Sequence, residues 1–349
     1  MEIACCFHLS LVGGEYHPSA CPRRGEDNSI EVDLYDYRVL QAIFDTVLPF
    51  FALIFCGYGA GRLKVLSEAS IAGVNAFVFY FALPAFLFEL MVTAPLDEVF
   101  NGSFIAAYLG SGLAVFAVAA VLGRFMFEVR AGEAALLGAA AVLGNTGYMG
   151  LPLVSAAFGD GAAIPVVIGL TLEATVLIPL TMALVEAGKG SDGGWARLVG
   201  SVAGSLGRNP IIIAIFSGAL VSAMGLGLPT PIANFTGLLS DAAGPCALFA
   251  LGATLVGRSI STGIGEISYM TLFKLLVHPL AIWFATTRIF DVDPLWATTA
   301  TLAAALPVAA NVFIVARQYD TYVERVSGAI LVSTTVSVIT VSALLVILN

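Results

Sequence analysis

Apolar residues fill nearly unbroken stretches of about 20 residues from Leu40 onward, each long enough to cross a hydrocarbon core of roughly 30 Å. Charges, Gly and Pro supply the breaks between them. The pattern predicts ten spans, over 40–61, 69–92, 103–126, 133–158, 162–186, 210–227, 232–257, 268–290, 295–317 and 323–348. Met1 to Arg38 differs: it is polar and acidic, with a Cys-Cys pair and no apolar stretch behind a basic start, so it reads as a disordered or wrongly assigned N-terminal extension rather than a signal peptide. Residues 39–349 are then one transmembrane domain.

The distribution of Lys and Arg gives the domain an orientation. Arg62, Lys64, Arg124, Arg130, Lys189, Arg197, Arg208, Arg258, Arg317 and Arg325 fall on one side of the predicted spans. Arg288 falls on the other, with Arg23, Arg24 and Arg38 of the extension. The basic side is the cytoplasmic one. An even number of spans then places both termini outside the cytoplasm. The longest connection, 187–209, holds Trp195 among basic residues, a composition suited to the headgroup layer.

Two halves are visible in the proline pattern. Pro49 and Pro84 stand 35 residues apart, as do Pro210 and Pro245, with Asn75 between the first pair and Asn234 between the second. The segments from Pro49 to Gly57 and from Pro210 to Gly218 match in length and character. Residues 40–186 and 210–348 therefore read as two five-span repeats, and an odd number of spans per repeat makes them opposite in topology.

The fourth span contains Gly144-Asn145-Thr146-Gly147-Tyr148-Met149-Gly150-Leu151-Pro152, too rich in Gly and Pro for a continuous helix. The ninth contains Pro307 and Asn311 within Ala305-Leu306-Pro307-Val308-Ala309-Ala310-Asn311-Val312. Irregular backbone at membrane depth must be buried in protein or line an aqueous cavity, so each break marks a candidate site. A break also exposes a helix N-terminus, whose free N–H groups and partial positive charge suit an anion. The candidate substrate site is accordingly Asn145, Thr146, Gly147 and Tyr148 with Asn311 and Val312, on breaks made by Gly144, Gly150, Pro152 and Pro307.

Composition agrees with the membrane reading: 59% of the 349 residues are hydrophobic and 11% charged, with a mean hydropathy of +0.95. The net charge of −9 comes largely from the extension and short loops, and no basic patch with interleaved aromatics offers a nucleic-acid surface. The five cysteines form no C-x-x-C pair, and no metal site or cofactor is expected. Ionisable residues inside the apolar runs are Glu89, Glu173, Asp241, Lys274 and His278, and charge at that depth points to a pathway or to an internal pair. Glu173 and Asp241 could neutralise a cation or carry a proton, making H+ or Na+ the coupling ions on offer. Lys274 and His278, one helical turn apart, could serve a carboxylate together or pair with Asp241. No aspartate pair, Ser nucleophile with its base, or H-E-x-x-H motif supports a membrane-embedded enzyme.

From about Leu40 to Asn349 the chain resembles the auxin efflux carrier family, and among its members the bacterial ones associated with malonate and other organic acids. The resemblance is carried by Phe79-Tyr80-Phe81-Ala82-Leu83-Pro84, by Gly144 to Pro152, by Arg208-Asn209-Pro210, by Lys274 to Pro279 and by Ala305 to Phe313. It implies an all-α membrane protein of ten helices in two inverted repeats, related in plan to sodium/proton antiporters and bile-acid symporters, with spans 4 and 9 crossing at their breaks. It further implies an elevator-like carrier of a small organic anion in the bacterial inner membrane, with spans 1, 2, 6 and 7 as scaffold, spans 3–5 and 8–10 as transport unit, homodimers in membrane lipid, and Asn145 and Asn311 near the substrate. Two alternatives remain beside it: a sodium- or proton-coupled symporter of the bile-acid type, and a membrane sensor that moves no solute.

Overall fold

The computed structural model describes residues 48–93, 101–188, 207–225, 227–257 and 262–348. The N-terminal extension, Trp195 with Lys189 and Arg197, and Arg258 lie outside the described residues. Every regular element among the described residues is helical. Six helices are long and apolar enough to cross a membrane: α2 (Glu68–Thr93), α3 (Gly102–Phe127), α6 (Ala163–Gly188), α8 (Thr230–Thr254), α9 (Ile264–Ile289) and α12 (Val323–Leu348). Five of them have 26 residues, about 39 Å at 1.5 Å per residue. Two shorter apolar helices, α1 (Leu48–Arg62) and α7 (Pro210–Ala223), occupy the first and sixth expected spans. The fourth and ninth expected spans are each interrupted, into α4 (Ala131–Val142) and α5 (Leu151–Phe158), and into α10 (Pro294–Ala304) and α11 (Ala310–Gln318).

Helix starts follow from local chemistry. Asn101 accepts the Phe104 N–H at 3.0 Å to open α3, and Asn209 accepts the Ile211 N–H at 3.0 Å to open α7. Pro210 and Pro294 stand at helix starts, where the missing N–H costs nothing. Arg208-Asn209-Pro210 is thus a helix-start signal in its own right.

Inside the helices, proline has a different effect. Wide, π-type turns at Val78–Ala82, Thr146–Gly150, Glu173–Leu177 and Phe273–Val277 each end two residues before a proline, namely Pro84, Pro152, Pro179 and Pro279. A proline within a helix leaves a carbonyl without its donor and crowds the preceding turn, and the wider turn relieves both. In each case the helix continues past its proline.

The helices sort into two packed groups. In one, α7 and α8 pack along α2, and α1 crosses α8. In the other, α3 lies on α4, α4 on the second half of α6, and α9 on α3, α10 and α12. Between them, α8 covers the wide turn Thr146–Gly150. Large apolar side chains such as Phe125, 76% exposed, and Ile347, 77% exposed, face outward, as lipid-facing residues do.

The crossing of α1 and α8 is too close for any side chain. A Cβ on Gly57 would lie 1.9 Å from the Phe249 carbonyl oxygen, and one on Gly252 would lie 1.8 Å from that of Ile54. The contact recurs between α7 and α2, where a Cβ on Gly218 would lie 2.6 Å from the Phe88 carbonyl oxygen. Gly218 stands as far beyond Gly57 as Phe249 stands beyond Phe88, 161 residues in both cases.

Gly57→Val and Gly252→Val should each force the backbones apart, at a cost of about 1–3 kcal/mol or more. Gly59→Val, at a position with nothing within 4 Å, serves as the control. Thermal unfolding in detergent should show lower midpoints for the first two; equal midpoints for all three would contradict the close crossing.

Candidate functional site: the crossing of two broken helices

The two interruptions meet, and their backbones pair. Gly144 and Val308 form an isolated antiparallel bridge. The Asn145 N–H donates to the Pro307 carbonyl at 2.9 Å, and the Ala309 N–H donates to the Leu143 carbonyl at 3.0 Å. Ser333 of α12 accepts the Val308 N–H at 3.1 Å. Groups that lose their helical partners at a break are thus satisfied by the other break or by a neighbouring hydroxyl, as burial away from water requires.

The first interruption is narrower than the Gly- and Pro-rich stretch implied. Only Leu143 to Asn145 leave the helix; Gly147, Tyr148 and Gly150 lie in the wide turn, and Pro152 lies in the first turn of α5. Pro152 and Gly150 therefore shape the helix after the break rather than the break itself. A Cβ on Gly150 would lie 2.7 Å from Leu306 Cδ1, so a side chain here would displace Leu306 where the two segments cross. In the second interruption Pro307 is central, and Asn311 falls in the first turn of α11.

Charged side chains hold both breaks from behind. Lys274 is fully buried, and its ammonium donates to the Ala304 carbonyl, the C-terminal end of α10, at 2.6 Å. A cation is favourable there, where the helix dipole is negative. His278 Nδ1 lies 3.2 Å from the same ammonium, so the two residues one turn apart contact each other. On the other side, Glu173 is buried and accepts from the Tyr108 hydroxyl at 2.9 Å and from Thr146 Oγ1 at 3.4 Å. Glu173 and Lys274 attract one another through the protein interior. Lys274 thus has Glu173, not Asp241, as its charge partner. Gly144 runs between them: a Cβ there would lie 3.1 Å from Lys274 Nζ and 3.3 Å from the Ala303 carbonyl oxygen.

Two cavities flank the crossing. One, of about 240 Å³, holds Asn209, Asn311 and Gln318 among apolar neighbours that include Phe79, Ile178 and Ile314. It adjoins Arg208 and Arg317 in sequence and so lies at the basic end of the helices. The other, of about 530 Å³, is lined by Glu89, Thr93, Pro152, Ser240 and Asp241, toward the far end of α2. Of the predicted substrate residues, Asn145, Thr146 and Val312 are buried at the crossing, Gly147 and Tyr148 are half-buried against α2 and α8, and Asn311 opens to the smaller cavity.

Tyr108, Gly169 and Ser333 are parts of the site that sequence reasoning passed over. Gly169 precedes Glu173 by one turn, and a Cβ on it would lie 2.8 Å from the Tyr108 ring, so the glycine makes room for the tyrosine that binds Glu173. A Gly one turn before an intramembrane Glu was the available signal; nothing in the apolar run of α3 singled out Tyr108.

Replacing Lys274 by Gln should leave Glu173 as a lone buried charge, destabilising the protein by about 3–5 kcal/mol. The double variant Glu173→Gln/Lys274→Gln removes both charges and should recover most of the loss. Chemical or thermal unfolding of the three proteins checks this; a double variant as unstable as Lys274→Gln would show that the pair is not coupled.

Comparison with known sequences bears on the same residues. The profile of the membrane transport protein family matches residues 42–193 and 195–345. The "Putative malonate transporter" of Rhizobium meliloti is 36% identical over 306 residues, covering 88% of this chain and 96% of that protein. The mouse "Lysosomal cholesterol signaling protein" is 29% identical over 319 residues, covering 85% of this chain and 36% of its own length. The rice "Probable auxin efflux carrier component 5a" is 24% identical over 349 residues, covering 86% of this chain and 94% of that protein.

Proposed function

Because the chain belongs to the membrane transport protein family, which takes in the auxin efflux carriers, we propose that it is a secondary carrier of a small organic carboxylate in the bacterial inner membrane. The observation that carries this reading is the crossing itself, with the start of α11 open to a cavity at the basic end of the helices. Of the first amides of α11, that of Val312 donates to the Ala309 carbonyl at 3.2 Å, and Ala309 caps none with its side chain, which leaves those of Ala310 and Asn311 for a ligand. A carboxylate placed there would receive those amides, the dipole of α11 and the Asn311 carboxamide. Asn145, Thr146, Gly147, Tyr148 and Val312 line the same crossing.

In this reading the domain has ten spans in two inverted repeats, and the recurrence of the close glycine contact after 161 residues supports that relation. The group α1, α2, α7 and α8 is the scaffold, and the group holding both breaks slides against it. Cavities toward both ends of the crossing would give alternate access. Both termini face away from the cytoplasm, and a dimer through the scaffold in membrane lipid is the working assembly. Coupling to H+ or Na+ would engage Glu173 or Asp241, whereas the membrane potential alone can drive an anion.

A sensor that moves no solute is the second reading, prompted by the name of the mouse relative. Accumulation of a carboxylate in sealed proteoliposomes, under pH, sodium or potential gradients, separates the two. Asn311→Ala and Asn145→Ala should each lower uptake about 10- to 100-fold, the worth of one hydrogen bond to a charged group, with thermal unfolding unchanged. Wild-type rates in both would remove the crossing from the mechanism.

A further inference from the structure

Carriers built on interrupted helices coordinate sodium or a proton with unwound carbonyls and with the C-terminal ends of half-helices, and a hard cation asks for oxygen ligands of that kind. In this protein a side chain already stands at such an end. The half-helix α10 ends at Ala304, and its last carbonyl receives the Lys274 ammonium at 2.6 Å. His278 Nδ1 lies 3.2 Å from the same ammonium, and Glu173 supplies negative charge from α6. Lys274 is fully buried, and Gly144 passes close beside it: a Cβ there would lie 3.1 Å from Nζ and 3.3 Å from the Ala303 carbonyl oxygen. The corresponding end at the first break is closed as well, because the Leu143 carbonyl just past α4 receives the Ala309 N–H at 3.0 Å.

We propose that the Lys274 ammonium is a tethered cation, held by the Ala304 carbonyl and His278, that fills the coupling-ion position at the crossing, so that sodium neither binds there nor drives transport. The consequence for transport rests on the reading of the crossing as a carrier's site; the filled position itself does not. A lysine that served only to pair with Glu173 would put its ammonium against the carboxylate. Among the described residues the two form no direct ion pair, and the ammonium is bonded instead to the end of α10. The cation thus takes the carbonyl that the break leaves without a helical donor, while Glu173 balances its charge across the Gly144 backbone. A free ion at that position would have to be gathered from solution and lost again, whereas a side chain moves with the helices that carry it. With the position filled and its charge balanced, the crossing is complete before any ion arrives, and Glu173 has no charge left to offer sodium.

Thermal unfolding of the full-length protein in detergent, in mildly alkaline sodium, lithium or choline chloride at equal ionic strength, tests the position without requiring transport. The wild type should unfold at one temperature in all three salts. Lys274→Ala vacates the position and leaves Glu173 uncompensated, so sodium or lithium should raise its midpoint over choline by about 3 °C or more. Glu173→Gln/Lys274→Ala has no charge to balance and should show no such rise, which separates an ion at the crossing from a general effect of salt. Recovery of folded Lys274→Ala only in sodium or lithium is the same result in stronger form. Equal midpoints for Lys274→Ala in the three salts, its failure to fold in all of them, or an equal rise in the double variant overturns the inference. So does a wild type that sodium stabilises over choline, or one whose carboxylate uptake in proteoliposomes stops when choline replaces sodium. If the wild type moves no carboxylate in any salt while Lys274→Ala alone responds to sodium, the carrier reading falls and the tethered cation stands.

Discussion

Hydrocarbon offers backbone N–H and C=O groups no hydrogen-bond partner, and two interrupted helices release several such groups in the middle of this protein. The rest of the structure follows from how they are satisfied. Leu143 to Asn145 and Pro307 to Ala309 bond to each other as a minimal antiparallel bridge, Ser333 takes the Val308 N–H, Lys274 takes the last carbonyl of α10, and Glu173 takes the Thr146 hydroxyl beside the first break. Each partner needs its own support. Glu173 requires the Tyr108 hydroxyl, Tyr108 requires the gap at Gly169, and the approach of Lys274 requires a glycine at position 144. A chain of small and polar residues in four different helices is thereby fixed by one solvation constraint.

Much of this was legible in the sequence, for reasons that differ by residue. Apolar run length is a direct consequence of bilayer thickness, so the expected spans 69–92, 103–126 and 323–348 coincide with helices Glu68–Thr93, Gly102–Phe127 and Val323–Leu348 to within a residue. Pro307 lies in the interruption between α10 and α11. Pro152 did not break its helix, because a wide turn built on Gly147 and Gly150 absorbed the missing donor. Periodicity cannot distinguish these outcomes; they depend on whether the turn before the proline can widen. Partner choice was equally hidden. The sequence reading offered Asp241 as a partner for Lys274, and only packing decides that α6 rather than α8 brings its acid to the crossing.

Lys274 and Glu173 also show why burying charge is tolerable here. Neither would be stable alone in so dry a setting, yet each neutralises a helix end that is itself uncompensated, and together they leave the crossing with no net charge before substrate arrives. In the proposed reading, the start of α11 would supply the positive potential that an anion feels. Electrostatic preference would there arise from partial charges on fixed backbone groups rather than from a free cationic side chain, which would bind an anion too firmly to release it.

The same arrangement bears on movement. The hydrogen bonds and charges that hold the crossing run among α3, α4 with α5, α6, α9, α10 with α11, and α12. Where the crossing meets α2 and α8, the contact is apolar: Val78, Ala82, Leu83, Ala243 and Ala247, with Tyr148 packed against them. A surface of this kind exchanges one set of dispersion contacts for another as it slides, at little cost, whereas a hydrogen-bonded surface would have to break directional bonds inside the membrane. If the group carrying both breaks travels against α2 and α8, its satisfied backbone and its neutral charge pair travel with it intact. The bonding at the crossing is then what allows an irregular, polar structure to be moved across a bilayer as one body.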